Sequence, residues 1–374
     1  MTRVAITGSG LFTPADAISN EELVEAFNGY VALFNEQHAA QIEAGAVEAL
    51  SPSSAEFIYK ASGIRSRYVM DREGILDIHR MAPRLVARAN DEPSQMCEMG
   101  VAAARQALDN AGRSAADVDL VIVAASNMQR AYPAVAVEIQ DALGAQGYAY
   151  DMNVACASAS FGLQAAADAV RTGQANQVLV ISPEICSGHL NFRDRDSHFI
   201  FGDACTALLV EALDEPGMAG AFELLGGRLR TQFSNNIRNN AGFLNRAEEP
   251  ARSETDRLFI QQGRKVFKEV VPLVSDLITG HLGQLQIDPQ QVRRFWLHQA
   301  NLSMNQLIAR KVLGREPSLD EAPVILDRYA NTSSAGSVIA FHLHNQDLQA
   351  GDIGVLCAFG AGYSAGNVVL RKLG

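Results

Sequence analysis

The chain has 374 residues, more than one hydrophobic core usually serves, so two domains or two related halves are expected. It is 48% hydrophobic and 20% charged, an ordinary globular composition, and its net charge of −11 argues against nucleic acid, whose phosphates need a basic face. No apolar run approaches the roughly 20 residues of a membrane span, and Met1-Thr2-Arg3-Val4-Ala5-Ile6 enters a strand pattern without a signal peptide's hydrophobic region, so a cytoplasmic location away from membranes is expected.

Taken in order, Val4 to Gly10 reads as a first strand, and Ser19-Asn20-Glu21-Glu22 as a helix cap with acidic residues in the first turn. Residues 29–52, rich in Ala, Glu and Gln, suggest an added surface helix, and Asp71 to Asp91 a long surface loop. A helix from about Ser94 to Asn110 precedes a strand, Leu120 to Ala125, and a helix, Val135 to Leu143. Tyr148 to Val154 reads as a buried strand, and Cys156 to about Arg171 as a helix, with Phe161, Leu163, Ala166 and Val170 at helical spacing. Val178 to Ser182 and Thr206 to Glu211 are expected strands, and this alternation argues for α/β layers.

The second half repeats the first. Asp117 to Val123 lines up with Gln291 to Leu297, Ala155-Cys156-Ala157-Ser158 with Ala330-Asn331-Thr332-Ser333, and Val178 to Ile181 with Ile353 to Leu356. The offset is 175 residues at Cys156 and Asn331 (331 − 156) and stays within one residue of that elsewhere. Halves of 1–215 and 216–374 follow, with Cys156 and Asn331 at equivalent helix starts.

Cys156 stands where a strand gives way to a helix, a position whose unpaired N–H groups and dipole can lower a thiol from about 8.5 to roughly 3.5–7.5. Small neighbours leave room for an acyl chain and a long thiol-ended arm. His298 ends the strand Arg294 to Leu297, Asn331 heads another run of small residues, and Phe359-Gly360-Ala361-Gly362-Tyr363 turns tightly between two apolar strands. Each has an ordinary reading alone, as a core cysteine, a structural histidine, an N-cap and a hairpin. Together they supply a nucleophile, orienting donors and N–H groups for an oxyanion, the needs of acyl transfer. The other cysteines (Cys97, Cys186, Cys205, Cys357) are scattered without a CxxC, and His342 and His344 lie two apart in a helical segment, so neither disulfide nor metal site is expected.

Over nearly its whole length the chain resembles the β-ketoacyl-acyl carrier protein synthase III enzymes of the thiolase superfamily. Six ordered motifs carry the resemblance: Asn153-Val154-Ala155-Cys156, Ile200-Phe201-Gly202-Asp203, Gly263-Arg264-Lys265-Val266-Phe267-Lys268, His298-Gln299-Ala300-Asn301, Ala330-Asn331-Thr332-Ser333 and Phe359-Gly360-Ala361-Gly362. It implies an α/β thiolase-like five-layer α-β-α-β-α fold, a homodimer, a catalytic triad of Cys156, His298 and Asn331, and an oxyanion hole from the amides of Cys156 and Ala361. Acyl-CoA and malonyl-acyl carrier protein are the implied substrates, with no cofactor or metal, and Phe57, Tyr132, Arg195 and Phe201 the implied substrate contacts. Tyr132 is expected to reach across the dimer and close the partner's acyl tunnel. Where the family often has a Trp against the coenzyme A adenine this chain has Phe57, and Ala61 and Ser303 replace cations. Arg264, Lys265, Lys268, Arg310 and Lys311 would form the basic face that meets an acidic carrier protein. The added segment resembles a subgroup that makes β-ketodecanoyl thioesters from a medium-chain primer. Condensation of two acyl-CoA molecules, a partner subunit without its own condensing activity and a cysteine hydrolase are the competing expectations.

Overall fold

The computed structural model describes residues 2–213 and 218–374, so the boundary expected between residues 215 and 216 lies outside the described residues. The first half opens with β1 (Val4–Phe12), β2 (Asp16–Ser19), α1 (Asn20–Gln37), α2 (Ala39–Glu43), α3 (Ala55–Ser62), β3 (Ser66–Val69) and α4 (Arg72–Leu76). It continues through α5 (Gln95–Ala111), β4 (Leu120–Ala124), α6 (Val135–Leu143), β5 (Tyr148–Met152), α7 (Ser158–Arg171), β6 (Gln177–Ile185) and β7 (Asp203–Ala212). The second half comprises β8 (Phe222–Ser234), β9 (Ile237–Arg238), β10 (Ile260–Gln261), α8 (Gly263–Gln284), β11 (Val292–Leu297), α9 (Leu302–Leu313), α10 (Leu326–Tyr329), α11 (Ala335–Leu343), β12 (Ile353–Gly360) and β13 (Gly362–Lys372).

The caps follow from residue type. Ser19 and Glu22 form a capping box on α1, Ser94 accepts from the Cys97 N–H to open α5, and Asn301 accepts from the Met304 N–H to open α9.

Nine strands join in the order β11-β12-β13-β8-β1-β7-β6-β4-β5. The halves have matching topology: β4 and β6 run parallel and β7 turns back antiparallel on β6, just as β11 and β12 run parallel and β13 turns back on β12. Only Ala5–Glu223 and Ile6–Phe222 pair across the join between β1 and β8. Side-chain alternation sorts the core into layers. Leu120, Ile122 and Ala124 face a central cluster shared with α7 and α11, while Val121 and Val123 face an outer cluster with α5 and α6. In the second half Trp296 enters the central cluster, and Phe295 and Leu297 face the opposite outer cluster with α8 and α9. The order is therefore α-β-α-β-α, with α7 and α11 between the two sheet halves.

Several expectations are corrected. Tyr148 to Met152 is an edge strand rather than a buried one, with Tyr148 and Tyr150 exposed at 42% and 36%, because no strand among the described residues pairs its outer side. Residues 29–52 are not a separate surface helix: α1 runs on to Gln37, Val31 is buried, and the return segment is clipped to α1 where Asn35 and Asn28 exchange hydrogen bonds with the backbones of Leu50 and Ser53. The loop from Asp71 contains α4 and buries Ile75 and Met81.

β1 lies directly against α5, close enough that a Cβ on Gly10 would stand 2.0 Å from the Ala103 carbonyl oxygen. Gly10→Ala must push strand and helix apart and is expected to cost about 1–3 kcal/mol, seen as a lower urea midpoint with an unchanged slope.

Candidate active site

The nucleophile turn lies between β5 and α7. Asn153 holds it from both ends of its amide: Oδ1 accepts from the Ala155 N–H at 2.9 Å and Nδ2 donates to the Ser126 carbonyl at 2.8 Å. Ser158 completes the turn, accepting from the Val154 N–H and donating to the Ala155 carbonyl. Ala155, directly before Cys156, takes φ of +50°, a conformation that L-residues avoid. The helix begins at Ser158, so Cys156 stands before it rather than on its first turn.

His298 directly follows β11, its N–H bonded to the Cys357 carbonyl at 2.8 Å and its ring edge-on to Phe359 at 5.2 Å. Asn331 is pinned by an N–H to the Ile200 carbonyl and by its own carbonyl, which accepts from Gly202. It is not the N-cap of α11. Its Oδ1 accepts from the Ser333 N–H at 2.9 Å, which leaves Nδ2 as the donor end toward the cavity. Ala330 repeats the φ of Ala155 at +54°, and Ser333 follows at +50°. The β12–β13 turn closes the site: a Cβ on Gly360 would lie 2.6 Å from the Cys156 Cβ and 3.0 Å from its Sγ, so only glycine fits there.

These elements enclose a cavity of about 470 Å³, with Cys156, His298, Asn331 and Gly360 in its lining. Phe199, Phe201, Phe259, Phe267 and Met304 form apolar walls, and Ala61, Asp196, Gln261 and Arg264 also line it. The electrostatics differ from the sequence expectation. Although Cys156 is open to this cavity, loss of bulk water pushes its thiol up to about 11, not down. The Ser333 hydroxyl and the amides of Cys156 and Ala361 act the other way. Burial also holds His298 down to about 4, with the backbone of Ser333 acting against it. The resting pair at neutral pH is a thiol and a neutral imidazole.

Phe201 lies in the cavity wall, packed on Phe259 and bridged through its backbone to Asn331. Phe57 and Arg195 lie outside that lining and pack on each other, the guanidinium 4.2 Å from the ring centre, while Arg195 Nε donates to the Pro52 carbonyl of the added segment at 2.8 Å. Tyr132 is 84% exposed and lies outside the lining of the Cys156 cavity. Arg264, Lys265, Lys268, Arg310 and Lys311 are all exposed on the packed helices α8 and α9, and Arg310 pairs with Glu316 at 2.8 Å. Sequence reasoning missed Ser333, whose hydroxyl faces the sulfur, and Glu184, a buried acid behind the nucleophile turn. It also missed the Tyr363 hydroxyl, which donates to Glu269 at 2.9 Å and ties the β12–β13 turn to α8. An acid amid the apolar run from Val178 to Ile185 was the available signal for Glu184.

A duplicated five-layer α/β fold, a cysteine against two backbone amides and two further donors on one apolar cavity define a thiolase-like acyltransferase. Family comparison makes the assignment specific. Residues 150–225 match the model of 3-oxoacyl-[acyl-carrier-protein] synthase III, and residues 282–372 match its C-terminal model. A β-ketodecanoyl-[acyl-carrier-protein] synthase of Pseudomonas aeruginosa is 64% identical over 349 residues, covering 93% of this chain and 100% of that one. A β-ketoacyl-[acyl-carrier-protein] synthase III of Chelativorans is 33% identical, covering 85% and 91%. The solved 3-oxoacyl-[acyl-carrier-protein] synthase III of Aquifex aeolicus shares the fold, with a TM-score of 0.76 at 24% identity over 98% of this chain and 99% of that one. The chain belongs to the β-ketoacyl-[acyl-carrier-protein] synthase III family, in the subgroup that the Pseudomonas relative represents.

Alkylation checks the resting thiol. The rate of Cys156 modification by iodoacetamide, followed by peptide mass, should climb about tenfold per pH unit from pH 7 to 9, because only the thiolate reacts, with no plateau before about pH 10. A plateau at pH 7–8 would contradict this assignment.

Proposed function

We propose that the chain condenses a medium-chain acyl-CoA primer with malonyl-acyl carrier protein to give a β-ketoacyl-acyl carrier protein, feeding fatty acid synthesis. The observation that carries the reading is the convergence of the Cys156 sulfur, the Cys156 and Ala361 amides, His298 and the Asn331 amide on one apolar cavity. The Pseudomonas relative supports the primer length: a ten-carbon product less the two carbons left by malonyl gives an eight-carbon, octanoyl primer.

In the first step the Cys156 sulfur attacks the acyl-CoA carbonyl. The oxygen becomes an oxyanion held by the two amides, each such donor contributing roughly 3 kcal/mol. The carbonyl re-forms, the bond to the coenzyme A sulfur breaks, and the thiol proton leaves with coenzyme A. In the second step the malonyl thioester oxygen takes hydrogen bonds from His298 and from Asn331 Nδ2. The carboxylate carbon departs as carbon dioxide and its bonding pair becomes an enolate. The α-carbon of that enolate attacks the acyl-Cys156 carbonyl and forms the new carbon–carbon bond, the bond from that carbonyl to the Cys156 sulfur breaks, and the sulfur regains a proton. A neutral imidazole suits this step, since it can donate to the enolate oxygen without first carrying charge. The chemistry runs on these residues and two thioester substrates, without cofactor or metal.

The enzyme would act in the cytoplasm as a homodimer. The exposed edge of β5 and the exposed Tyr132, Val137, Tyr148 and Tyr150 support pairing with a second copy, which would bring Tyr132 to the partner's acyl tunnel. Phe57 and Arg195 would part to admit the coenzyme A adenine, and the two-helix basic face would receive the carrier protein.

Equimolar acetyl-CoA and octanoyl-CoA test the primer. The octanoyl adduct on Cys156 is expected to predominate by mass, with β-ketodecanoyl product once malonyl-acyl carrier protein is added. An acetyl preference would refute the medium-chain reading, and product from malonyl-CoA alone would refute the carrier requirement. Arg310→Glu with Lys311→Glu should raise KM for malonyl-acyl carrier protein at low salt while leaving acylation unchanged, because rim charges act mainly on encounter.

A further inference from the structure

We infer that Glu184 is a positioning residue for this condensation, one carboxylate on which both the nucleophile turn and the Asn331 loop are hung. The inference rests on the proposed function and adds a residue that does not touch the reacting atoms. Glu184 lies near the end of β6, 2% exposed, behind Cys156. Its carboxylate accepts from the Ser126 N–H at 2.9 Å and the Ser126 hydroxyl at 2.6 Å on one side, and from the Ser334 N–H at 3.2 Å and the Ser334 hydroxyl on the other. The Cys186 thiol approaches at 3.8 Å, and the Ser334 hydroxyl also lies 3.1 Å from the Ala124 carbonyl. Burial pushes this carboxyl up from the usual carboxylate range, and the four donors of Ser126 and Ser334 act the other way, favouring the ionised form, which is an acceptor only.

From each serine a short chain of bonds leads to a catalytic group. The Ser126 carbonyl holds Asn153 Nδ2, Asn153 Oδ1 holds the Ala155 N–H, and Cys156 is the next residue. On the other side Ser334 follows Ser333, whose N–H orients the Asn331 amide, whose hydroxyl faces the sulfur and whose backbone faces His298. The two loops belong to different halves of the fold and carry three residues at positive φ, Ala155, Ala330 and Ser333, which stay strained only where their surroundings over-determine them. Glu184 is where those surroundings meet. Its charge has a second effect: with Ser126 and Ser334 as its donors, it faces the thiols of Cys156, Cys186 and Cys205 and opposes ionisation of all three, Asp203 adding to this at Cys186.

The variants Glu184→Gln, Glu184→Asp and Ser334→Ala separate these roles. Glu184→Gln keeps the size and removes the charge, Glu184→Asp keeps the charge and shortens the reach, and Ser334→Ala cuts one arm. For each, melting temperature, kcat and KM for condensation, and the pH profile of Cys156 alkylation are measured. A displacement of about 1 Å can cost about 100-fold in rate. Accordingly kcat is expected to fall at least about tenfold in both Glu184 variants, with KM for both thioesters within about twofold of the parent. The alkylation profile should move to lower pH in Glu184→Gln alone. A Glu184→Gln protein with kcat within about twofold of the parent, or with an unmoved alkylation profile, would overturn the inference. Should the Glu184 variants not fold, an unchanged kcat in Ser334→Ala would do the same. The parent is the control for the underlying function: if it forms no β-ketoacyl product the condensation reading fails, while the alkylation profiles still report on Glu184.

Discussion

Confinement of the Cys156 sulfur against the Phe359-Gly360-Ala361 turn is the constraint on which the rest of the site depends. Gly360 admits the sulfur only because it has no Cβ, and the contact puts the thiol beside its own amide and that of Ala361. Withdrawal from bulk water, with the charge of Glu184 adding to it, outweighs the lowering by those amides and the Ser333 hydroxyl. His298 is held neutral by the same dryness. Cys156 and His298 are therefore uncharged at rest, and the donors beside the sulfur stand in place before charge develops as acyl groups move. Preorganised donors of that kind stabilise a transition state without reorganising during the reaction.

The layered fold makes this meeting possible. α7 and α11 both lie between the two sheet halves, and both are built from small residues where they start: Ser158, Ala159 and Ser160 in one, Ala335, Gly336 and Ser337 in the other, all buried. Thin helices let strands of both halves pack on one central cluster, so the loops before the two helices reach a single cavity. The duplication extends to backbone detail, since Ala155 and Ala330 precede Cys156 and Asn331 with nearly equal φ. Two strained alanines at equivalent points mark where the chain gives up local comfort to aim a side chain, at a cost of about 1–3 kcal/mol each. The same architecture pairs β5 with β4 on one side and leaves its outer edge without a partner among the described residues, where Tyr148 and Tyr150 are exposed.

Much of this was legible in the sequence because strand ends, small-residue helix starts and a glycine turn leave local marks. The repeat placed Cys156 and Asn331 in equivalent positions, and the alternation of elements gave the layers. What escaped notice depends on groups far apart in sequence. Periodicity locates the start of α7 but says nothing of the water around Cys156, so the thiol was expected to be acidic where burial makes it the reverse. The apolar run at Tyr148 looks like core because a strand's composition does not reveal that it lies at a sheet edge. Glu184 escaped because the strand was read only to Ser182, whereas β6 runs through Pro183 to Ile185, and its partners lie 58 and 150 residues away. Phe57 and Arg195 were expected, each separately, to contact coenzyme A, but only the structure shows them stacked on each other, with Arg195 held by Pro52.

The central claim is that Cys156 and His298 rest as a thiol and a neutral imidazole. Nuclear magnetic resonance of selectively labelled histidine, with His298→Ala to assign the signal, tests it by titrating the ring from pH 4 to 9. The account predicts that His298 stays neutral at pH 7 and begins to protonate only near pH 4, in the parent and in Cys156→Ser alike. An imidazolium signal at pH 7 that disappears in Cys156→Ser would reveal a resting thiolate-imidazolium pair and contradict the account.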